Sequence, residues 1–114
     1  MVENKYILSI VTVVFNDVRN IEKTLGSILK IKNSNIQFIV IDGLSSDGTI
    51  GVINNYLSII DILISEKDNG IYDAMNKGIL NCSGEYVIFL NSGDCFYNNS
   101  VLSNIFDIIN NVSV

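Results

Sequence analysis

The sequence contains no histidine, no proline and only two cysteines. Without histidine, the chain cannot use Ser-His-Asp or Cys-His catalysis, a histidine zinc site or a histidine base that works near neutral pH. Cys82 and Cys95 do not form a CxxC pair, so we expect two reduced, partly buried thiols. Histidine-dependent hydrolases are therefore excluded.

Basic residues and long apolar runs are also scarce. Seven Lys and Arg stand against twelve Asp and Glu, a formal net charge of −5 at pH 7, so nucleic acid is not an expected partner. A membrane-spanning helix needs a run of about 18 apolar residues, and none occurs. The N-terminal stretch has an acid and an asparagine before its apolar run and no small-residue cleavage site. We therefore expect a cytoplasmic protein.

The chain is long and apolar enough to fold around a core of its own. It has 114 residues, of which 48% are hydrophobic. No segment rich in proline, glycine or serine divides it, and it contains no repeat. We predict one domain over residues 1–114.

Four apolar runs alternate with amphipathic segments. The runs predict strands over residues 6–15, 36–41, 61–65 and 85–90, and the continuous β-branched run of the first predicts burial on both faces. Helical spacing of apolar residues predicts helices over 18–31, 50–60, 71–82 and 101–111, and Asp17, Asp47 and Ser100 are the expected N-caps of the first, second and fourth. Four βα units in series predict an α/β fold with three layers, α/β/α, and a mainly parallel sheet.

Polar, small and acidic residues follow each predicted strand. They occur at Phe15–Asn16, Asp42–Gly43, Glu66–Gly70 and Asn91–Asp94. Any one of them alone is better explained as a turn former or helix cap. Because the carboxyl ends of parallel strands meet at one sheet edge, where such folds bind ligands, the four together indicate a binding site.

The loop after the first strand, FNDVRN, has no glycine and so lacks a dinucleotide fingerprint, and no Walker A loop occurs. A phosphate-rich ligand would then need another source of positive charge. Mg²⁺ and Mn²⁺ are commonly held by one or two protein carboxylates while phosphates and waters complete the octahedron. We expect Asp94 to supply that carboxylate.

Four motifs, SIVTVVFN, FIVIDGLSSDGT, SEKDNGIYDAMNKGI and GEYVIFLNSGD, occur in this order over nearly the whole chain. Together they resemble the N-terminal half of a family 2 glycosyltransferase with the GT-A fold, and most closely the bacterial polysaccharide-biosynthesis branch. The resemblance implies a Rossmann-like nucleotide-binding sheet and a nucleotide-diphosphate sugar donor, usually a UDP-sugar. It also implies Mg²⁺ or Mn²⁺ as cofactor and transfer with inversion at the anomeric carbon.

The resemblance assigns the nucleotide pocket to the ends of the first two strands. Val13, Phe15 and Asn16 match the base pocket, and Asp42 matches an acid that accepts a hydrogen bond from the base. At the end of the first strand, many relatives have the sequence Pro-Thr-Tyr-Asn. Many also have a second acid at the position that Gly43 occupies in this chain. Phe15 keeps a ring for stacking without the hydroxyl.

The resemblance also assigns donor-binding roles to the third predicted helix. Asp73 and Asn76 lie three residues apart and so share one helix face. Met75 replaces an arginine found in many relatives, so a phosphate contact implied for that arginine does not carry over. Lys77 is the nearest cation to this face, and we interpret it as a solvated helix lysine.

The fourth loop matches the family's DxD segment, but Asn91 and Gly93 replace the two defining acids. The resemblance then leaves Asp94 as the metal ligand. Asn91 is assigned to a ribose hydroxyl or a metal-bound water, and Gly93 to the backbone turn that brings Asp94 into place.

The expected partners are the sugar donor and a saccharide or lipid-linked acceptor. The expected location of the protein is the cytoplasm, at the inner face of the cytoplasmic membrane. In the family, the general base and the acceptor site lie downstream of the metal loop, so we expect a chain truncated before its acceptor half and assign no catalytic residue. An apolar last helix would favour a homo-oligomer. A non-catalytic nucleotide-binding fragment stays open as an alternative. A sugar nucleotidyltransferase is a further open alternative, although such an enzyme requires a basic, glycine-rich loop after the first strand.

Overall fold

The structure is a computed structural model that describes residues 6–95 together with 104, 105 and 107. Within this part of the chain, four strands alternate with three α-helices. The strands are β1 (Leu8–Val14), β2 (Ile36–Asp42), β3 (Ile62–Ser65) and β4 (Tyr86–Phe89). The helices are α1 (Ile21–Leu29), α2 (Thr49–Asn54) and α3 (Ile71–Leu80), and a 3₁₀ turn, Leu57–Ile59, follows α2.

The four strands form one parallel sheet in the order β3-β2-β1-β4. Val14 pairs with Asp42, and Asp42 pairs with Ser65, so these strands end at the same edge. The chain proceeds outward from β1 to β3 and then returns to the other side of β1 for β4. Strand order therefore reverses beside β1, where folds of this class bind ligands.

Two apolar clusters lie on opposite faces of the sheet. On one face, α1 and α2 pack against alternate side chains of β1 and β2, with Phe38 at the centre and fully buried. On the other face, α3 packs on Val11, Val13, Ile39 and Ile41. Both β1 and β2 are buried along their whole length, as their unbroken β-branched runs predict. The α/β fold with helices on both faces of a parallel sheet is thus confirmed.

The first two helices are shorter than predicted. α1 begins at Ile21, and Asp17 does not cap it, because its carboxylate accepts from the Asn20 amide and the Ser92 hydroxyl instead. α2 ends at Asn54, whereas apolar spacing predicted a helix to residue 60. Asn54 and Asn55 are weak helix formers, and Leu57 beyond them is half exposed rather than buried.

Asp47 is not the N-cap that the sequence predicted, because Gly48, at φ 102°, occupies that position. Asp47 instead accepts from the backbone N–H and the hydroxyl of Thr49 at the start of α2, and the hydroxyl bond is the main cause that lowers the pKa of Asp47. Cys82 and Cys95 are free and partly buried, and burial raises the pKa of Cys82. The predicted fourth helix and its cap, Ser100, lie outside the described residues except at 104, 105 and 107, which are helical. No helix in the described ranges is long and apolar enough to cross a membrane.

Candidate nucleotide-binding site

A cavity of about 880 Å³ lies at the carboxyl ends of the strands. Its volume falls in the range of about 300–1,000 Å³ that is typical of small-molecule sites. It is lined by the end of β1 and by residues from the loops after β1, β2, β3 and β4 and from the first turn of α3: Val13, Val14, Phe15, Asn16, Asp17, Gly43, Leu44, Lys67, Asp68, Gly70, Ile71, Ala74, Asn91 and Ser92. Of the residues predicted for the site, the structure brings Val13, Phe15, Asn16 and Asn91 to this cavity.

The end of β1 gives the cavity one apolar and one polar side chain. Phe15 is 63% exposed and offers a ring face to a ligand. Asn16, at φ 48°, accepts from the Ser46 backbone N–H through its amide oxygen, and its own N–H donates to the Ser45 hydroxyl. Asn16 therefore fixes the β1 end to the loop after β2, and Phe15 is the residue of this pair that is available for stacking.

Asp42 lies below the cavity rather than in its lining. Its side chain is fully buried, and one carboxylate oxygen accepts from the N–H groups of Leu44 and Ser45 and from the Ser65 hydroxyl. The other oxygen accepts from the Ser45 hydroxyl at 2.5 Å. Four protein donors thus occupy this carboxylate, which shapes the loop that carries Gly43 and Leu44.

Asp68 is a carboxylate of the cavity that sequence reasoning did not single out. A Cβ built on Gly43 would lie 3.0 Å from Asp68 Oδ2 and 3.3 Å from Phe15 Cδ1, so Asp68 and Phe15 meet over Gly43. The Asp68 side chain is only 9% exposed. The one available signal was its place in the Glu66–Gly70 loop, which gave no means to choose among the polar residues there.

Lys77 is not the solvated helix lysine that the sequence suggested. Its side chain is 19% exposed, and its ammonium group donates to Asp68 Oδ1 at 2.5 Å and to the Lys67 carbonyl at 2.9 Å. Glu66 Oε1 lies at 3.2 Å and Asp73 Oδ2 at 3.7 Å. The hydrogen bond to Asp68 is the largest of the causes that raise the pKa of Lys77. Lys77 therefore joins the loop after β3 to α3.

The two donor-binding residues expected on α3 do not line the cavity. Asp73 accepts from the Asn69 backbone N–H at 2.8 Å, which fixes the start of the helix. Asn76 is exposed on the helix surface. The start of α3 instead contributes Ile71 and Ala74 to the cavity wall.

The segment after β4 makes a tight turn. Asn91 O accepts from the Asp94 N–H at 2.9 Å, and Gly93 has φ 97°, a left-handed value that favours glycine. The Thr24 hydroxyl accepts from the Gly93 N–H at 2.9 Å and donates to Asp94 O at 2.6 Å. Thr24 thus ties the turn to α1, a link across about seventy residues that no local pattern reveals.

Oxygen donors in this turn fit a hard divalent cation. Asn91 Oδ1 is, among the described residues, the one buried side-chain N or O atom without a hydrogen-bond partner, and Asn91 lines the cavity. Asp94 is exposed three residues further on. The described residues hold no cluster of three or more Asp, Glu, Cys or His that could bind an ion by itself. An ion here would need ligand oxygens as well, as Mg²⁺ and Mn²⁺ accept from phosphates.

Leu44 combines two unusual properties at the cavity. It is 59% exposed and has φ 70°, where a side chain with a Cβ is strained. We expect Leu44→Gly to raise the free energy of unfolding by about 1 kcal/mol because it relieves this strain. Leu44→Val, with a β-branched side chain at the same φ, should lower it. Urea unfolding of both variants checks the prediction, and a fall in stability for Leu44→Gly would contradict it.

Comparison with known proteins points to one family. The profile of "Glycosyl transferase family 2" matches residues 9–111. The putative teichuronic acid biosynthesis glycosyltransferase TuaG of Bacillus subtilis is 32% identical over 93 residues, which are 79% of this chain and 37% of TuaG. The chain spans about a third of the length of the curated relatives it matches.

Two solved structures share the fold. Staphylococcus aureus TarS residues 1–349 in complex with UDP-GlcNAc superposes with a TM-score of 0.81 at 21% identity, covering 92% of this chain and 31% of that one. The mannosyltransferase PcManGT from Pyrobaculum calidifontis, in complex with GDP-Man and Mn²⁺, gives 0.77 at 20% identity, covering 85% and 30%. At these identities the likeness concerns the fold.

Proposed function

The chain belongs to glycosyl transferase family 2, its fold is the Rossmann-like GT-A type, and we propose that its cavity binds a UDP-sugar for transfer with inversion. One observation carries this proposal. Phe15, Asp68 and Asn91, which follow three different parallel strands, line the same cavity. The UDP-GlcNAc and GDP-Man complexes of its structural neighbours support a nucleotide-sugar donor. TuaG supports a role in bacterial polysaccharide synthesis.

In this proposal the base stacks on Phe15 and donates a hydrogen bond to Asp68. Phe15 is largely exposed, which suits a stacking face. Asp68 lines the cavity, whereas the oxygens of Asp42 are occupied by four protein donors. We therefore give Asp68 the acceptor role that the family resemblance implied for Asp42. Asp73 fixes the start of α3, and neither Asp73 nor Asn76 lines the cavity, so we give them no contact with the donor in this proposal.

The diphosphate would lie at the turn after β4. Asp94, which is exposed and lies outside the cavity lining, would hold Mg²⁺ or Mn²⁺ together with Asn91 Oδ1, and Gly93 provides the left-handed turn between the two residues. Such an ion offsets negative charge that grows on the departing diphosphate. Asn91 Oδ1 would gain from it the partner that a buried amide oxygen requires. The Mn²⁺ in the PcManGT complex supports this choice of cofactor.

A melting experiment tests the proposal. We expect UDP with Mn²⁺ to raise Tm more than either alone, because the diphosphate supplies ligands that the protein lacks. At about a hundredfold excess over Kd the stabilisation is about 2.7 kcal/mol, which corresponds to about 10 °C or more in a domain of this size. Asp94→Ala should abolish the additional rise in Tm that Mn²⁺ gives in the presence of UDP.

Glu85→Gln is the matched control, because Glu85 is an exposed acid at the opposite end of β4. It should leave this additional rise in Tm unchanged. Equal shifts with and without Mn²⁺ in the wild type would contradict the metal assignment. No shift with UDP at all would contradict nucleotide binding.

A nucleotide-binding role without turnover remains the second candidate, because the carboxylates that line the cavity, Asp17 and Asp68, are both already bonded to protein groups. The two functions differ in a transfer assay. Release of UDP from a UDP-sugar in the presence of a saccharide or lipid-linked acceptor supports the enzyme, and binding without release supports the second candidate.

A further inference from the structure

The Lys77 ammonium group is held by neighbouring protein oxygens. It donates hydrogen bonds to the Lys67 carbonyl at 2.9 Å and to Asp68 Oδ1 at 2.5 Å, and it forms an ion pair with Glu66 Oε1 at 3.2 Å. Lys77 is thus directed towards the loop after β3, although it lies one helical turn from the cavity wall.

The two oxygens of Asp68 face different surroundings. Oδ1 accepts from Lys77, and Oδ2 lies on the side of Gly43 and Phe15, where a Cβ added to Gly43 would be only 3.0 Å away. With a side chain that is 9% exposed, Asp68 has little freedom to turn. Lys77 thus holds one oxygen while the other remains directed towards the end of β2.

Asp68 also lies among other acids. Glu66 and Asp73 both approach the Lys77 ammonium, at 3.2 and 3.7 Å, and Glu66 is 59% exposed. Without Lys77 these three carboxylates would repel one another across a partly buried space, which favours rotation of Asp68 away from its present orientation. That rotation would alter which oxygen Asp68 presents to a ligand.

We propose that Lys77 is a positioning residue that holds Asp68 Oδ1, so that Oδ2 is presented to the cavity as a hydrogen-bond acceptor and the cavity selects nucleobases with an imino N–H, such as uracil, against cytosine. This inference rests on the proposed nucleotide-binding function. An ionised carboxylate can only accept hydrogen bonds. Uracil presents N–H at ring position 3, whereas cytosine presents a lone pair there, which would face the carboxylate without a proton between them.

Calorimetric titration with UDP and with CDP, both with Mn²⁺, tests the inference, because the two ligands differ only in the base. We expect the wild type to bind UDP at least about tenfold more tightly, as one hydrogen bond to a charged group provides. In Lys77→Met the UDP affinity should fall about tenfold while the CDP affinity changes less, so the ratio narrows. Lys77→Arg, which keeps the charge, should restore part of the ratio. Lys23→Met, an exposed lysine on α1, should leave both affinities unchanged.

An unchanged UDP to CDP ratio in folded Lys77→Met would overturn the positioning role, since a purely structural lysine would weaken both ligands equally. If this variant does not fold, Asp68→Asn decides, because its amide can donate to cytosine. A narrowed ratio in Asp68→Asn supports the inference and an unchanged one overturns it. Equal binding of UDP and CDP by the wild type overturns it while nucleotide binding stands. Failure to bind either nucleotide overturns the proposed function and this inference with it.

Discussion

Replacing Asp42 with alanine is expected to lower the free energy of unfolding by about 4 kcal/mol. The carboxylate is fully buried, and the substitution leaves four donors without an acceptor: the N–H groups of Leu44 and Ser45 and the hydroxyls of Ser45 and Ser65. Each unsatisfied buried donor costs about 1–3 kcal/mol, reduced where water can enter the space. A domain of this size has only about 5–15 kcal/mol in total.

Urea unfolding measures this effect, and two milder variants accompany it. Asp42→Asn keeps one carbonyl oxygen where three donors converge, so its loss should be about half as large. Ser65→Ala removes a single donor and should cost about 1 kcal/mol. A loss below about 1 kcal/mol for Asp42→Ala would show that the loop after β2 is held by other contacts.

Gly78→Ala is expected to lower the free energy of unfolding by about 3 kcal/mol. Gly78 is where α3 crosses β1, and a Cβ there would overlap Val11 Cγ1 and lie 3.3 Å from Val11 Cγ2. Val11 is fully buried in a central strand, so its side chain has no space to which it can move. The gain in helix propensity, about 1 kcal/mol, does not offset this overlap.

Gly51→Ala is the matched control, because Gly51 also lies within a helix but has nothing within 4 Å of an added Cβ. It should raise the free energy of unfolding by about 0.5–1 kcal/mol. Effects of the same sign at the two glycines would contradict the packing described for α3, and chemical denaturation of both variants in parallel settles the comparison.

Features set by short-range pattern were predicted well. The largely apolar, β-branched runs of β1 and β2 identified strands that are buried, and the residues just after the strands identified the edge where Phe15, Asn16 and Asn91 line a cavity. These inferences succeed because strand burial and loop placement follow from local sequence and from parallel topology.

Features set by contacts between distant segments were not predicted. Lys77 bonds to Asp68, nine residues earlier, and Thr24 bonds to Gly93 in the turn after β4. Neither separation matches the periodicity of a helix or a strand, so local sequence patterns do not reveal these contacts. The end of α2 was misplaced because the apolar spacing continues into a 3₁₀ turn, where Leu57 is exposed. Local spacing cannot report whether a side chain meets a partner across the sheet.

The Thr24 hydroxyl has a consequence for the entropy of ligand binding. It accepts from Gly93 and donates to Asp94, so the backbone of the turn after β4 is already ordered by a buried residue of α1 before any ligand arrives. Ordering a loop at the moment of association reduces affinity. Here that ordering occurs when the domain folds, and a diphosphate with its cation would have only side chains to arrange.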